Sequence, residues 1–337
     1  MNTFTYVPPY ANAPPLCDPR GRLNDAAIGW SSRPQTVCNL PGNPGRRKRW
    51  NHWCINAPGW MLSLTIADLD YLGYGAIYFL DLETGRSVHR TQITPLGRGC
   101  DLPDVPNQSH SFQHGDLCLN FVEQPGQLRI TASAPDLGGQ PLDLALEVKR
   151  PAHLESVNLV VPMAGQCFHA CSRQMGLPAR GSLQLGRRVY SCSAGESFAA
   201  LDFGRGVWPF RTHWTRAAFA GPGGIAGNFG SGWTDHTPLK ENALWFGGEL
   251  QRLEHDVEIH QAPHDPLAPW RLRSPCERVD LTFTPRKLHR ACPRLGPLFA
   301  ETSQWFGHFD GSLRSLDGEH VPVREALGWV GATHARW

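Results

Sequence analysis

Charge is scarce in this 337-residue chain: 18% of its residues are Asp, Glu, Lys or Arg, and 32 basic against 30 acidic side chains leave a net of +2. A balance that even supplies no field for steering DNA, RNA or an anionic membrane, so no nucleic-acid partner is expected. Long apolar runs are missing too. No segment approaches the roughly 18 uninterrupted apolar residues of a membrane-spanning helix, and no integral membrane segment is expected. The opening MNTFTYVPPYANAPPLCDP has four prolines in its first fifteen residues and neither the basic start nor the apolar stretch of a secretory signal, so the expected location is cytoplasmic. In that reducing setting the ten cysteines, none in a CxxC pair, read as free thiols.

Helical signals are equally thin. The least poor candidate is a short turn near residues 324–327, and the alternation of strand and helix that builds a dinucleotide-binding fold is missing. No GxSxG nucleophile elbow occurs. The run Gly227-Asn228-Phe229-Gly230-Ser231-Gly232 looks like a phosphate cradle, but no helix follows to complete an anion site. Its glycines are read as places where strands bend or approach closely. No organic cofactor is expected.

What the chain does have is turn residues, 35 glycines and 29 prolines, set between short stretches of period-two alternation. Leu62, Leu64 and Ile66, then Leu117, Leu119 and Phe121, then Leu128 and Ile130, then Leu142, Leu144, Leu146 and Val148 each put one face on a core. Glu83-Thr84-Gly85-Arg86 and Asp317-Gly318 have the composition of hairpin turns, which predicts sequential antiparallel strands. Strand signals resume at residues 196–203, 243–246, 257–260, 279–284 and 305–313. The fold class is all-β. Length favours two domains, and the glycines and prolines between Val161 and Arg188 put the boundary there. The expected units are an N-terminal barrel or sandwich over residues 1–165 and a C-terminal barrel over residues 166–337.

Chemistry concentrates in residues 201–214, LDFGRGVWPFRTHW. Arg205 and Arg211 offer planar, permanently charged forks, and Asp202 is the nearest acid that could neutralise one of them. Such a cluster serves either as a buried ion pair locking strands or as a polar anchor beneath an aromatic pocket. Downstream, Glu241-Asn242 precedes ALWFGG. If those strands close into a barrel, a carboxylate and an amide in its interior could protonate or orient a substrate, or could satisfy one another where strands cross.

Other clusters read as structural. Residues 45–53, GRRKRWNHW, interleave cations with tryptophans as a nucleic-acid grip would, yet in a neutral chain the run is assigned to a solvated turn entering a strand. His110, His114 and Asp116, like His260, His264 and Asp265, abut strand-like sequence, where that spacing sets no common ligand direction. They are read as surface or loop histidines, and Cys167-Phe168-His169-Ala170-Cys171 lacks the usual two-residue gap. No metal site is expected.

Together, LDFGRGVWPFRTHW, KRWNHW with SLTIADLDY, ENALWFGG, PWRLR, VDLTFTP and the terminal LGWVGATHARW resemble the DUF2804 family over about residues 29–337. That family name carries no reaction. More remotely the chain is similar to the tandem lipocalin-like proteins that include AttH-type proteins, carotenoid 1,2-hydratases, tocopherol cyclase and fungal Diels-Alderases. The resemblance implies two tandem lipocalin-like, calycin-type antiparallel β-barrels with a cavity for an apolar small molecule of polyene or lipid type. It implies further a cofactor-independent lyase or isomerase of hydratase or cyclase type, with a non-catalytic carrier or a structural protein as the alternative. On positions matching the DUF2804 pattern, Glu241 and Asp202 are the candidate acid or base. Arg205, Trp208, Arg211, Trp214 and Asn242 are the candidate wall of a cavity of roughly 300 Å³ in the second barrel. Nothing in the sequence sets the oligomeric state.

Overall fold

The computed structural model describes residues 13–235, 237–262 and 265–337. Among them there is no α-helix; two single-turn 3-10 segments, Asp25–Ala27 and Pro222–Gly224, interrupt an antiparallel all-β chain. The first sheet contains β1 (Gly29–Ser31), β2 (Arg47–Ala57), β3 (Trp60–Asp68), β4 (Leu72–Asp81), β5 (Ser87–Pro95), β6 (Cys100–Asp101) and β7 (His110–His114). It continues with β8 (Leu117–Gln124), β9 (Gln127–Ala134), β10 (Leu142–Lys149), β11 (Val157–Met163), β12 (Cys167–Leu185), β13 (Arg188–Cys192) and β14 (Phe198–Val207). The second contains β15 (Arg211–Gly221), β16 (Ile225–Ser231), β17 (Ala243–Phe246), β18 (Glu249–Arg252) and β19 (Glu258–Gln261). Its remaining strands are β20 (Trp270–Arg273), β21 (Val279–Ala291), β22 (Arg294–Leu295), β23 (Leu298–Arg314) and β24 (His320–Arg336).

Along the first sheet the order is β5-β4-β3-β2-β14-β12-β10-β9-β8-β7-β6, and along the second β18-β17-β16-β15-β24-β23-β21-β20-β19. Each sheet curls around its own core because alternation gives every strand one apolar face. Leu142, Leu144, Leu146 and Val148 of β10 point inward with Leu62, Leu64, Ile66, Leu119 and Phe121, while Asp143 and Lys149 face water. Both expected hairpin turns join consecutive strands, residues 83–86 between β4 and β5 and Asp317-Gly318 between β23 and β24.

Strands β2, β3, β4 and β14 are buried on most of both faces, because the outer face of the first sheet is covered by the second. Met61, Ala67 and Tyr78 pack there against Ala218, Phe306 and Trp329. The core of the second sheet is filled by Phe219, Phe229, Leu272, Leu281, Phe283 and Phe309, all fully buried. The cavity expected inside the second barrel is thus replaced by packed side chains, and open space lies elsewhere.

Three further expectations change. The chain passes between sheets at residues 208–210, not at 165/166, because the glycines and prolines of residues 162–186 serve a bent strand. Strand β12 shifts register between Gln174 and Leu177, and a Cβ at Gly181 would strike the Ala145 carbonyl oxygen. Residues 324–327 sit inside β24 and form no helical turn; Arg324 and Glu325, the latter at φ +46°, together oppose Asp310 of β23 in a β-bulge. Gly45 and Arg46 form an exposed turn that enters β2, as expected, but Arg47, Lys48 and Arg49 lie within this central strand, where Lys48 is fully buried.

Candidate functional site

Register places one transverse row of side chains on the outer face of the first sheet. Arg173, Asp202, His52, Thr65, Ala76 and Thr91 are successive cross-strand partners on β12, β14, β2, β3, β4 and β5, so they share a face. A matching row crosses the second sheet: Gly230, Arg216, Gly331, Gln304 and His289 on β16, β15, β24, β23 and β21. The rows face each other across a half-open cleft of about 160 Å³ walled by Trp50, Trp214, Trp329, Trp337, Tyr74 and Tyr78.

The middle of the cleft is polar but neutral. His52 Nδ1 lies 2.8 Å from Thr65 Oγ1, and Gln304 Nε2 reaches toward His52 Nε2 at 3.4 Å from the opposite sheet. Burial, reinforced by the nearby Arg216 and Arg173 charges, brings the His52 pKa down to about 3, so this imidazole is uncharged at neutral pH. The His289 ring lies 4.3 Å from that of Tyr78 in a tilted contact, and its pKa is brought down to about 4 by burial and by His89. Burial raises the Tyr74 hydroxyl to about 12, which keeps it a hydrogen-bond donor.

One end of the cleft is closed by a charge-balanced quartet. Asp202 bridges Arg173 and Arg216 with its two carboxylate oxygens and accepts from Trp50 Nε1 at 3.0 Å. Arg173 Nε donates to Glu241 Oε2 at 2.8 Å, and Trp233 Nε1 donates to Glu241 Oε1 at 2.6 Å. Arg216 Nε donates to Asn228 Oδ1 at 2.8 Å, and Asn228 Nδ2 donates to the Glu241 carbonyl at 2.8 Å. Burial pushes the Glu241 carboxyl up, but Arg173 and Arg216 outweigh it and leave it below its ordinary value. Two guanidiniums and two carboxylates share a site in which Arg173, Arg216 and Glu241 are almost completely dry, an arrangement tolerable only because each charge has a partner. Gly230 makes room, since a Cβ there would collide with Glu241 Oε1.

Of the residues singled out in the sequence, Asp202 and Trp214 line the cleft. The expected pairing of Asp202 with Arg205 or Arg211 is replaced by Arg173 and Arg216. Residues three apart on a strand face opposite ways. Arg205 points into the first core, where its five N–H donors reach Pro103 O, Trp50 O, Gly204 O and Asn51 Oδ1. Arg211 is exposed at the start of β15. Trp208 sits behind the cleft among Trp214, Trp233, Trp337 and His169, and Asn242 ties Gly230 N to the His255 carbonyl. Glu241 is an anion held 1% exposed behind the wall, which removes it as an acid facing the cavity. The residues not singled out are His52, Arg173, Arg216, Gln304 and His289. Period two from Trp214 would have put Arg216 on the same face, but the facing rows depend on register between distant strands.

Among the described residues no three His, Cys, Asp or Glu side chains group as metal ligands. His110, expected at the surface, is buried and stacks 4.3 Å from Phe121 while Trp53 Nε1 approaches its Nε2 at 3.2 Å. His260 is exposed, and His264 lies outside the described residues. His169 of the Cys-Phe-His-Ala-Cys stretch is stacked against Trp50 at 5.0 Å. No described helix is long and apolar enough to cross a membrane.

No curated protein matches the chain by sequence. Among solved structures it is similar to kievitone hydratase from Nectria haematococca, with TM-score 0.53, 12% identity, and coverage of 87% of this chain and 89% of that one. It is also similar to an AttH-like protein from Nitrosomonas europaea, with TM-score 0.50, 13% identity, and coverage of 85% and 92%. At such identities the likeness concerns the fold, a tandem lipocalin-like pair of curled sheets. The model of the Domain of unknown function DUF2804 matches residues 10–337, and the chain belongs to that family.

Proposed function

We propose that the cleft between the sheets binds a small, largely apolar molecule of polyene or lipid type and promotes its rearrangement, as a cofactor-independent lyase or isomerase of hydratase or cyclase type. The observation that carries this reading is a neutral His52, flanked by Thr65 and Gln304, at the centre of a tryptophan- and tyrosine-walled space. Neutral donors and acceptors in an aromatic-walled cleft favour orientation of a reacting chain and hydrogen bonding to charge that develops during reaction. Asp202 fixes the end of the site by holding Arg216 and Trp50 in place. A cavity of about 150 Å³ accommodates benzene, so a space of 160 Å³ takes one ring or a short bent chain, and a longer ligand extends through the open side.

A carrier is the second reading, favoured by one fact: both oxygens of Asp202 are already engaged within the protein. Native mass spectrometry of protein purified from its own host tests both. A co-purifying apolar molecule that wild type converts, and that His52→Gln binds but converts about a hundredfold more slowly, supports the enzyme. The same molecule recovered unchanged supports the carrier. A chain free of any small molecule refutes both.

A further inference from the structure

Cross-strand register resolves the cleft between the sheets into facing pairs of rows. Trp50, Ala67, Tyr74 and Ile93 are successive partners on β2, β3, β4 and β5, and Trp214, Thr333, Thr302 and Ala291 on β15, β24, β23 and β21. Trp50 stacks on Trp214 at 6.3 Å, so these two rows oppose each other. The rows of His52 and Gln304 come next, joined by the 3.4 Å contact between those side chains, and beyond them Tyr78 stacks on Phe306 at 4.7 Å.

The first pair of rows carries hydroxyls where the second carries the imidazole. Thr302 Oγ1 and Thr333 Oγ1 lie 3.1 Å apart, and with one hydrogen shared between them one O–H is left over. Tyr74, half-buried on the opposite sheet, adds a hydroxyl whose proton is held by burial and by Cys100, with no hydrogen bond to a described residue. All three line the cleft together with His52, Thr65 and Gln304, and Ala67, Ala76 and Gly331 leave room between the two groups. At the imidazole, Gln304 Nε2 donates toward His52 Nε2, which makes Nε2 an acceptor and Nδ1–H the donor to Thr65 Oγ1. One group thus accepts and the other donates. Thr302 and Gln304 are two residues apart on β23, as are Tyr74 and Ala76 on β4, so at about 3.4 Å per residue the groups stand about 7 Å apart.

We propose that the cleft selects, among the apolar molecules assigned to it above, those with a hydroxyl and a carbonyl at opposite ends of one ring or of an equally long chain segment, an inference that rests on reading the cleft as a ligand site. The ligand hydroxyl donates to His52 Nε2 in place of the long Gln304 contact, and its carbonyl accepts from Tyr74 and the threonine pair. A pure hydrocarbon is disfavoured, because it would cover those groups without satisfying them. Unlike ends also fix which way round the molecule lies.

The test is calorimetric titration of the full chain, at slightly acid pH where phenols are uncharged, with 4-hydroxyacetophenone, its 3-hydroxy isomer, acetophenone and 4-ethylphenol. The first is expected to bind about tenfold more tightly than each of the others, which lack the span, the hydroxyl and the carbonyl in turn. Thr302→Val with Thr333→Val removes both partners of one hydrogen bond and keeps the shape, so melting is unchanged. Combined with Tyr74→Phe, it erases the advantage over 4-ethylphenol while that over acetophenone remains. Ala76→Leu fills the cleft and abolishes binding of every probe. Equal binding of the two hydroxy isomers, or an advantage over 4-ethylphenol that survives the triple variant, overturns the proposal. Binding untouched by Ala76→Leu overturns it too, by placing the probes elsewhere. If 4-ethylphenol saturates a site that Ala76→Leu closes and the carbonyl adds nothing, the paired groups are refuted and the apolar cleft stands; if no probe saturates up to about 10 mM, both fall. Only binding is read, so the outcome is independent of whether the cleft catalyses.

Discussion

Replacing Glu241 by Gln removes one of the two anions that neutralise Arg173 and Arg216. Gln keeps the shape, and its oxygen can still accept from Trp233, but its amide N–H₂ must then face the Arg173 Nε–H that Oε2 accepted at 2.8 Å. Donor meets donor in a dry site. Breaking a buried pair by removing one partner costs about 3–5 kcal/mol. At an unfolding entropy of about 2.1 cal/mol/K per residue, a chain of this length loses about 1.4 °C of Tm for each kcal/mol, so the expected drop is about 4–7 °C. Adding Arg173→Met restores neutrality, leaving Arg216 with Asp202 as a balanced pair. The double variant is therefore expected to recover about 1–3 kcal/mol relative to the sum of the single changes. Urea titrations of wild type, both single variants and the double variant measure that coupling. If Glu241→Gln changes stability by less than about 0.5 kcal/mol, or the two changes are additive, Glu241 is not a paired anion and its assignment behind the wall is refuted.

Gly230→Ala is expected to cost about 3 kcal/mol or more, because its methyl would displace Glu241 from Arg173; a denaturation midpoint matching wild type would contradict this. Arg205→Lys is expected to cost about 2–5 kcal/mol, since an ammonium cannot serve Pro103, Trp50, Gly204 and Asn51 at once, and chemical unfolding measures it. His52 and His110 are both brought by burial to about 3 from an ordinary 6.5. The unfolded chain therefore takes up protons that the fold refuses, and stability, full above pH 6.5, is lost as pH falls toward 3, by about 2 kcal/mol for each histidine at pH 5. Unfolding midpoints from pH 8 to 5, repeated with His110→Phe, check the slope.

The strands were legible because alternation is local: Leu142 through Val148 declare an inner and an outer face within eight residues. The same rule, applied to Asp202 and Arg205, argues against their pairing, and closeness in sequence concealed it. Glycine and proline were less informative. The stretch from residue 162 to 186 has the composition of a linker, yet it lies largely within one nineteen-residue strand that bends. A bend and a boundary need the same permissive residues.

An all-β chain of sequential antiparallel strands with apolar alternation follows from the sequence alone, since each of those properties is set by residues a few positions apart. The assignment of His52 to Asp202, of Arg216 to Asp202, and of Gln304 to His52 spans 150, 14 and 252 positions and required the sheets to be folded and docked. Register between distant strands and the packing of one outer face on another arise from the sum of many weak contacts, which no short stretch encodes. That is why the open space lies between the two sheets, while Phe219, Phe283 and Phe309 fill the barrel where a cavity was expected.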